Sequence, residues 1–237
     1  MNRARWSVLA AVLVVGAVIG GYVAWDQILR GDNVAPLTLA SGDPSGSGSV
    51  STITSTAQAV GTWNVSSLSV VGYRVREKLA SLSAQSDAVG RTSSVTGSAT
   101  LAASGSDLSV TAAQFQADLT TLTSDKSMRD QKLHTLGLES DTFPNSTFKL
   151  TSPVAVPATG ISGATFSVTL NGDFTLHGVT KSVSIPAQAR VVGSQIEIVG
   201  SLTFPMADYG ITPPSIGGFV TVTDQATLEF DVFLDHT

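Results

Sequence analysis

Cysteine is absent from the 237 residues, and charge is scarce, since only 13% of the residues are Asp, Glu, Lys or Arg. Without cysteine the chain has no disulfide, no thiol nucleophile, no thiolate-bound metal and no site for an acylated-cysteine anchor. Thirteen basic against eighteen acidic residues give a net charge of −5. Nucleic acid binding, which requires a strongly basic face, is therefore not expected.

The signature motifs of common enzymes are also missing: there is no GxGxxG, phosphate loop, GxSxG elbow or HExxH. The three histidines are far apart in the sequence. One alternative remains, in which His134 or His177 works with a carboxylate such as Asp130 or Asp141, as the acid–base pair of a hydrolase or isomerase or as a metal site. The simpler interpretation places His134 on an exposed helix face and His177 in a tight turn before Gly178.

One long apolar run is present, at residues 6–25, which contain no charged residue. Twenty residues are enough for a helix to cross a bilayer. Arg3 and Arg5 precede the run, so the positive-inside rule places residues 1–5 in the cytoplasm. A cleaved signal peptide is the alternative, although the run ends without a good cleavage site. The sequence predicts a signal anchor in the cytoplasmic membrane, with the rest of the chain on the extracytoplasmic side.

Residues 26–60 are rich in Gly, Ser, Thr and Pro, most purely at 41–49. Such a composition is typical of a flexible linker. Its expected reach is roughly 30 Å, from 5–6 Å times the square root of its length.

Residues 61–237 show the period of two that indicates half-buried strands. The alternation is clearest at 168–176, 196–204 and 226–234, and weaker at 95–101. Further candidates are 63–75, 108–119, 148–156 and 183–191. About eight strands follow, separated by turn signals at the spacing of antiparallel meanders.

A single segment, 127–136, has a helical pattern, with Ser127 and Asp130 as a capping box and Gly137 as the residue after the helix. Arg129 and Asp130 could clamp an anion, although a local salt bridge is the more ordinary role for such a pair. One short helix cannot cover a sheet of eight strands. We therefore expect an all-β protein, an eight-stranded antiparallel barrel, with a two-sheet sandwich as the alternative.

The order of several segments resembles the YceI-like family over about residues 61–237. The matching segments are GTWNV at 61–65, VGYRV at 71–75, LTSD at 122–125, MRD at 128–130, DTFP at 141–144, TF at 147–148, NGDFTLHGVTK at 171–181 and ADYGI at 207–211. Two positions depart from the family: Met206 replaces a common arginine, and Ser67-Leu68-Ser69 lacks a common histidine. The resemblance implies a lipocalin-like barrel that binds a long isoprenoid or another lipid.

The sequence thus predicts a membrane-tethered binding protein, without cofactor or metal, that holds a long apolar chain for storage, transport or stress protection. Small residues at or near inward positions, among them Gly172, Ala189, Gly200 and Ala226, are expected to leave room inside. The predicted cavity lining consists of Phe115, Phe148, Phe166, Leu170, Phe174, Leu176, Ile198, Leu202, Phe204, Leu228, Phe230 and Val232. A filled barrel that serves in structure or adhesion is the remaining alternative.

Overall fold

The computed structural model describes residues 34–40, 53–79, 85–216 and 220–237. The predicted cytoplasmic segment, 1–5, and the predicted transmembrane helix, 6–25, lie outside these residues. Within the described part of the chain, no helix has the length and apolar character needed to cross a membrane.

Antiparallel strands dominate the described chain. They are β1 (Gly61–Val65), β2 (Val70–Leu79), β3 (Gln85–Thr92), β4 (Val95–Ser104), β5 (Asp107–Asp118), β6 (Asn145–Leu150), β7 (Val154–Val156), β8 (Phe166–Leu176), β9 (Val179–Val192), β10 (Gln195–Pro205), β11 (Ser215–Ile216) and β12 (Val220–His236). Together they form one sheet of twelve segments, ordered β1-β4-β5-β6-β8-β9-β10-β12-β2-β3, with β7 beside β5 and β11 beside β12.

The pairing of β1 with β12 closes this sheet into a barrel. β1 and β2 both pair with β12 and together make one kinked strand position. In the same way β3 and β4 pair with β2 and β1, and β6 and β7 both pair with β5. With these three pairs counted once and the two-residue β11 set aside, the ring has eight strands. The predicted eight-stranded antiparallel barrel is confirmed, and the sandwich is not formed.

Alternation along the strands separates a dry interior from an outer wall. On β12, Phe230, Val232 and Leu234 are buried in the core, while Thr227 and Glu229 lie on the opposite face. The interior contains two clusters of buried side chains, one around Trp63 and one around Tyr209. These clusters lie toward opposite ends of the barrel.

Short helices cover the two ends. α1 (Thr56–Ala59) covers the end that we call the cap end, where the indole Nε1 of Trp63 donates a hydrogen bond to the Ala59 carbonyl at 2.9 Å. α2 (Ser127–Lys132) continues as a π-helical turn, Leu133–Gly137, and covers the opposite end, called the helical end. α3 (Ala158–Ile161) lies beside β9. The sequence did not predict α1 and α3, because four residues are too few for a periodic pattern.

The predicted helix termini need two corrections. No side chain caps α2, whose first residue is Ser127, because the Asp130 carboxylate accepts hydrogen bonds from the amide and hydroxyl of Ser124 instead. The left-handed residue after the helix is Glu139, with φ 48°, rather than Gly137. The π-helical turn ends at Gly137 and moves the left-handed residue two positions along the chain.

Two described segments within the predicted linker, 26–60, pack on the barrel. Residues 53–60 include α1, and Ile53 and Ala59 belong to the core cluster at the cap end. Residues 34–40, which we call the strap, are extended and lie across the outer wall. The folded unit therefore includes chain before residue 61. Composition gave no sign of this for the strap, because its hydrogen bonds come from main-chain atoms.

Candidate functional site

Three cavities follow one another along the barrel interior. The middle and helical-end cavities each have a volume of about 130 Å³, and the cap-end cavity has a volume of about 60 Å³. Four residues line both of the larger cavities: Val71, Ser146, Phe174 and Leu228. Leu101, Val110, Val154, Leu170, Ile196 and Ile198 line both the middle and the cap-end cavities. The interior therefore contains a series of adjacent apolar cavities rather than a solid core.

The structure brings eleven of the twelve predicted lining residues to these cavities. The middle cavity is lined by Phe115, Phe148, Leu170, Phe174, Ile198, Leu228, Phe230 and Val232. Leu176 and Phe204 line the helical-end cavity, and Phe166 lines the cap-end cavity. Leu202 does not line any of these three cavities but packs against both core clusters. That these residues contact a ligand stays a prediction.

Aromatic rings pack against several glycines of the barrel wall, so these glycines do not leave empty space. A Cβ built on Gly172 would lie 2.4 Å from the Phe148 ring, and one built on Gly200 would lie 2.5 Å from the Phe230 ring. The Tyr73 ring packs over Gly90 in the same way, since a Cβ built on Gly90 would lie 2.3 Å from that ring. The expectation that small residues simply leave room is therefore wrong for Gly172 and Gly200, because neighbouring rings fill the space of the missing side chains.

Polar groups enter the lining at the helical end. The Tyr73 hydroxyl is buried and has no hydrogen-bond partner among the described residues, and its side chain lines the helical-end cavity. Burial raises the pKa of Tyr73 above its usual value, so this hydroxyl stays protonated and can donate a hydrogen bond.

An ion-pair group lies beside this hydroxyl. The Arg129 guanidinium contacts the Glu77 carboxylate at 3.1 Å and also pairs with Asp125. Burial acts to lower the pKa of Arg129, but hydrogen bonds and charge attraction from Glu77 and Asp125 leave it above its usual value. Arg129 is thus engaged locally with carboxylates of its own chain, and its predicted partner Asp130 binds Ser124 instead. The local salt bridge describes Arg129 better than an anion clamp with Asp130.

The histidines do not line the three interior cavities. His177 occupies the tight turn between β8 and β9, where His177 and Gly178 have φ of 51° and 74°, as the simpler interpretation expected. Its Nε2 lies 3.4 Å from the Glu139 carboxylate, outside the barrel interior. His134 Nδ1 contacts the Ser140 hydroxyl at 2.5 Å. No group of three or more metal-ligating side chains occurs in the part of the chain that the structure describes.

Sequence reasoning missed Tyr73 and Glu77 as cavity residues. The signal was present, since Val71, Tyr73, Val75 and Glu77 follow one face of β2, and Val71 and Val75 are apolar. The contact between Glu77 and Arg129 had no local signal, because 52 residues separate them.

Comparisons with known proteins agree with this architecture. A family model described as the YceI-like domain matches residues 63–234. A solved polyisoprenoid binding domain from Saccharophagus degradans, implicated in plant cell wall breakdown, superposes with a TM-score of 0.55 at 15% identity, covering 75% of this chain and 99% of that one. BcnA of Burkholderia cenocepacia gives 0.53 at 15% identity, with 71% and 98% covered. No curated protein sequence matches the chain significantly.

Proposed function

The chain belongs to the YceI-like family, and from this premise we propose that it binds one long apolar chain, an isoprenoid or acyl lipid, in its barrel. The observation that carries the proposal is the series of three apolar cavities along the barrel axis. A slender chain fits such a series, whereas a compact ligand would fill a single cavity. The solved relative described as a polyisoprenoid binding domain supports the same ligand class.

An apolar lining of this kind would support tight binding of the proposed ligand without a specific polar contact. Burial of one CH₂ group contributes about 0.8 kcal/mol. Five isoprene units, with roughly four such groups each, would contribute on the order of 16 kcal/mol before the cost of association. The affinity is therefore spread over many interchangeable contacts.

The head group of the ligand belongs at the helical end. The Tyr73 hydroxyl is a buried donor without a hydrogen-bond partner among the described residues, and an unpaired buried donor is costly. We place an oxygen acceptor of the ligand, such as a hydroxyl, carbonyl or phosphate oxygen, against it. The Y73F variant should bind an oxygen-bearing polyprenyl lipid about fivefold more weakly, which corresponds to one hydrogen bond of about 1 kcal/mol. Squalene, a hydrocarbon without an acceptor, should bind both forms equally.

The proposed setting is extracytoplasmic, with the chain tethered to the cytoplasmic membrane through residues 6–25. This placement rests on the uncharged run and the two arginines before it. A tethered barrel could accept, store or transfer a lipid next to the bilayer.

Lipid extraction and native mass spectrometry of residues 26–237 test the proposal. We expect a co-purifying lipid, or micromolar or tighter binding of a polyprenol or a fluorescent fatty acid. A protein that retains no lipid and binds neither probe would refute the proposed function.

A further inference from the structure

One polar side chain points into the apolar part of the barrel. Ser146 lies on β6 and shares a face of that strand with Phe148 and Leu150, which line the middle cavity. Ser146 itself lines both of the larger cavities. Alternation along the strand therefore turns its hydroxyl inward, at the level where these two cavities adjoin.

The Ser146 hydroxyl is unpaired in the described part of the chain. The residue is more than nine-tenths buried, at 8% exposure, and its Oγ makes no hydrogen bond to any described residue. A serine hydroxyl can donate one hydrogen bond and accept two, and buried hydroxyls in proteins are nearly always paired. The free hydroxyl is therefore available to a molecule that fills the cavity.

The other polar residues beside the middle cavity do not present their side chains to it. Gln116 and Thr147 alternate with the inward-facing Ala117 and Ser146, so their side chains lie on the outer face of β5 and β6. On that face, the Gln116 carboxamide donates a hydrogen bond to the Asn145 side chain at 3.1 Å. Among the described residues that line this cavity, Ser146 is thus the one whose polar side chain can meet a ligand.

The charge of the lining limits what can meet Ser146. No charged residue is among the described residues that line the middle cavity. Charged lining residues belong to the helical-end cavity, where they are Glu77, Arg129 and Lys132. An ionised group in the middle cavity would lose its hydration without gaining a counterion, which costs far more than one hydrogen bond returns. An oxygen bound there has to be uncharged, as in an alcohol, an ester or a ketone.

Ser146 also lies deeper in the barrel than the position proposed for the head group. Val71 lines both larger cavities, as Ser146 does, whereas Tyr73, two residues further along β2, lines the helical-end cavity but neither of the other two. Two strand residues span about 7 Å. A ligand whose head group is at Tyr73 therefore brings a point within its apolar chain to Ser146.

From these observations we propose that Ser146 is a ligand-binding residue that determines specificity, and that the barrel selects a lipid whose apolar chain carries an uncharged oxygen, such as a hydroxyl or an ester within the chain. The inference rests on the lipid binding of the proposed function and adds a second polar contact to the one at Tyr73. The Ser146 hydroxyl donates a hydrogen bond to this oxygen or accepts one from a hydroxyl. An unsubstituted chain leaves the Ser146 hydroxyl buried and unpaired, which is costly.

Fatty acids of one length test the proposal, because they share a head group and differ only in the oxygen on the chain. The probes are stearic acid and its 3-, 7-, 10- and 12-hydroxy forms, and displacement of a fluorescent fatty acid measures each dissociation constant. All described contacts lie within residues 34–237, so residues 26–237 are used. We expect Ser146→Ala to weaken the binding of the best-matched hydroxy acid about fivefold relative to stearic acid, as expected for the loss of one hydrogen bond.

Ser167→Ala is the matched control, because it makes the same substitution at an exposed serine on the outer face of β8. It should leave the affinity of every hydroxy acid relative to stearic acid unchanged. If Ser146→Ala changes none of these relative affinities, or weakens all five acids equally, the inference is overturned while the proposed function stands. A chain that binds a polyprenol but none of the acids also overturns the inference alone, and a chain that binds neither overturns the proposed function with it.

Discussion

Asp231 lies on the outer wall of β12. Its carboxylate has fewer favourable contacts than the other carboxylates of that wall. Its Oδ1 is buried without a hydrogen-bond partner among the described residues. Burial, and then the neighbouring Glu197 carboxylate, raise its pKa from 3.8 to about 7, although Arg190 acts in the opposite direction. Replacing Asp231 by Asn removes this charge with almost no change in shape.

The direction in which stability changes with pH follows from the protonation of Asp231. Between about pH 4 and pH 7 the folded chain holds a proton on Asp231 that the unfolded chain has lost, so the stability of the original chain falls as pH rises through this range. One unit of pKa corresponds to about 1.4 kcal/mol, which would give on the order of 4 kcal/mol for a fully buried group. Asp231 is only half-buried, and solvent screening reduces the expected effect to about 1–2 kcal/mol.

Urea unfolding of residues 26–237 at pH 4 and pH 8 measures this difference. D231N should match the original chain at pH 4 and exceed its free energy of unfolding by about 1–2 kcal/mol at pH 8. D224N, at an exposed aspartate of the same strand, is the control and should show no such gain. A D231N variant that is equally stable or less stable at pH 8 would contradict the reasoning.

Three further predictions concern the interior and the tether. Ala226→Phe places a ring in the helical-end cavity, and Ala189→Phe places one in the cap-end cavity. Both variants should reduce lipid uptake with little change in melting temperature. Destabilisation by about 1–3 kcal/mol with normal uptake would indicate a filled core. Gly172→Ala should cost about 1–3 kcal/mol in urea unfolding, because its Cβ would lie 2.4 Å from the Phe148 ring, and Phe148→Leu in the same chain should recover part of the loss. A reporter enzyme fused after residue 60 should be active only outside the cytoplasm, and activity confined to the cytoplasm would reverse the predicted topology.

The barrel could be predicted because its determinants are local. Alternation in β8, β10 and β12 shows which side chains face inward, whatever lies on the neighbouring strand. The kinks that join β1 to β2 and β3 to β4 had no equally clear pattern. They follow from the closure of the ring, which involves pairing between residues far apart in the sequence.

The cavity lining could be predicted from the same local alternation as the barrel. Leu170, Phe174 and Phe230 were assigned to the lining by alternation alone, and the structure places them there. The contacts of the strap were not predictable, because arginines of β2, β3 and β9 bind its main-chain carbonyls, which every residue type provides. The partner of Arg129 was equally hidden, since it depends on which strand passes beneath α2.

Val71, Ser146, Phe174 and Leu228 line both of the larger cavities, so a ligand that extended from one cavity into the other would have to pass between these four side chains. A flexible prenyl or acyl chain can bend to follow such a path and a rigid fused-ring sterol cannot bend, so we expect the barrel to bind sterols more weakly. The length of the ligand tail would determine only how many of the cavities it fills. Lipids of several lengths would then share one position for the head group and differ in how far the tail reaches toward Trp63.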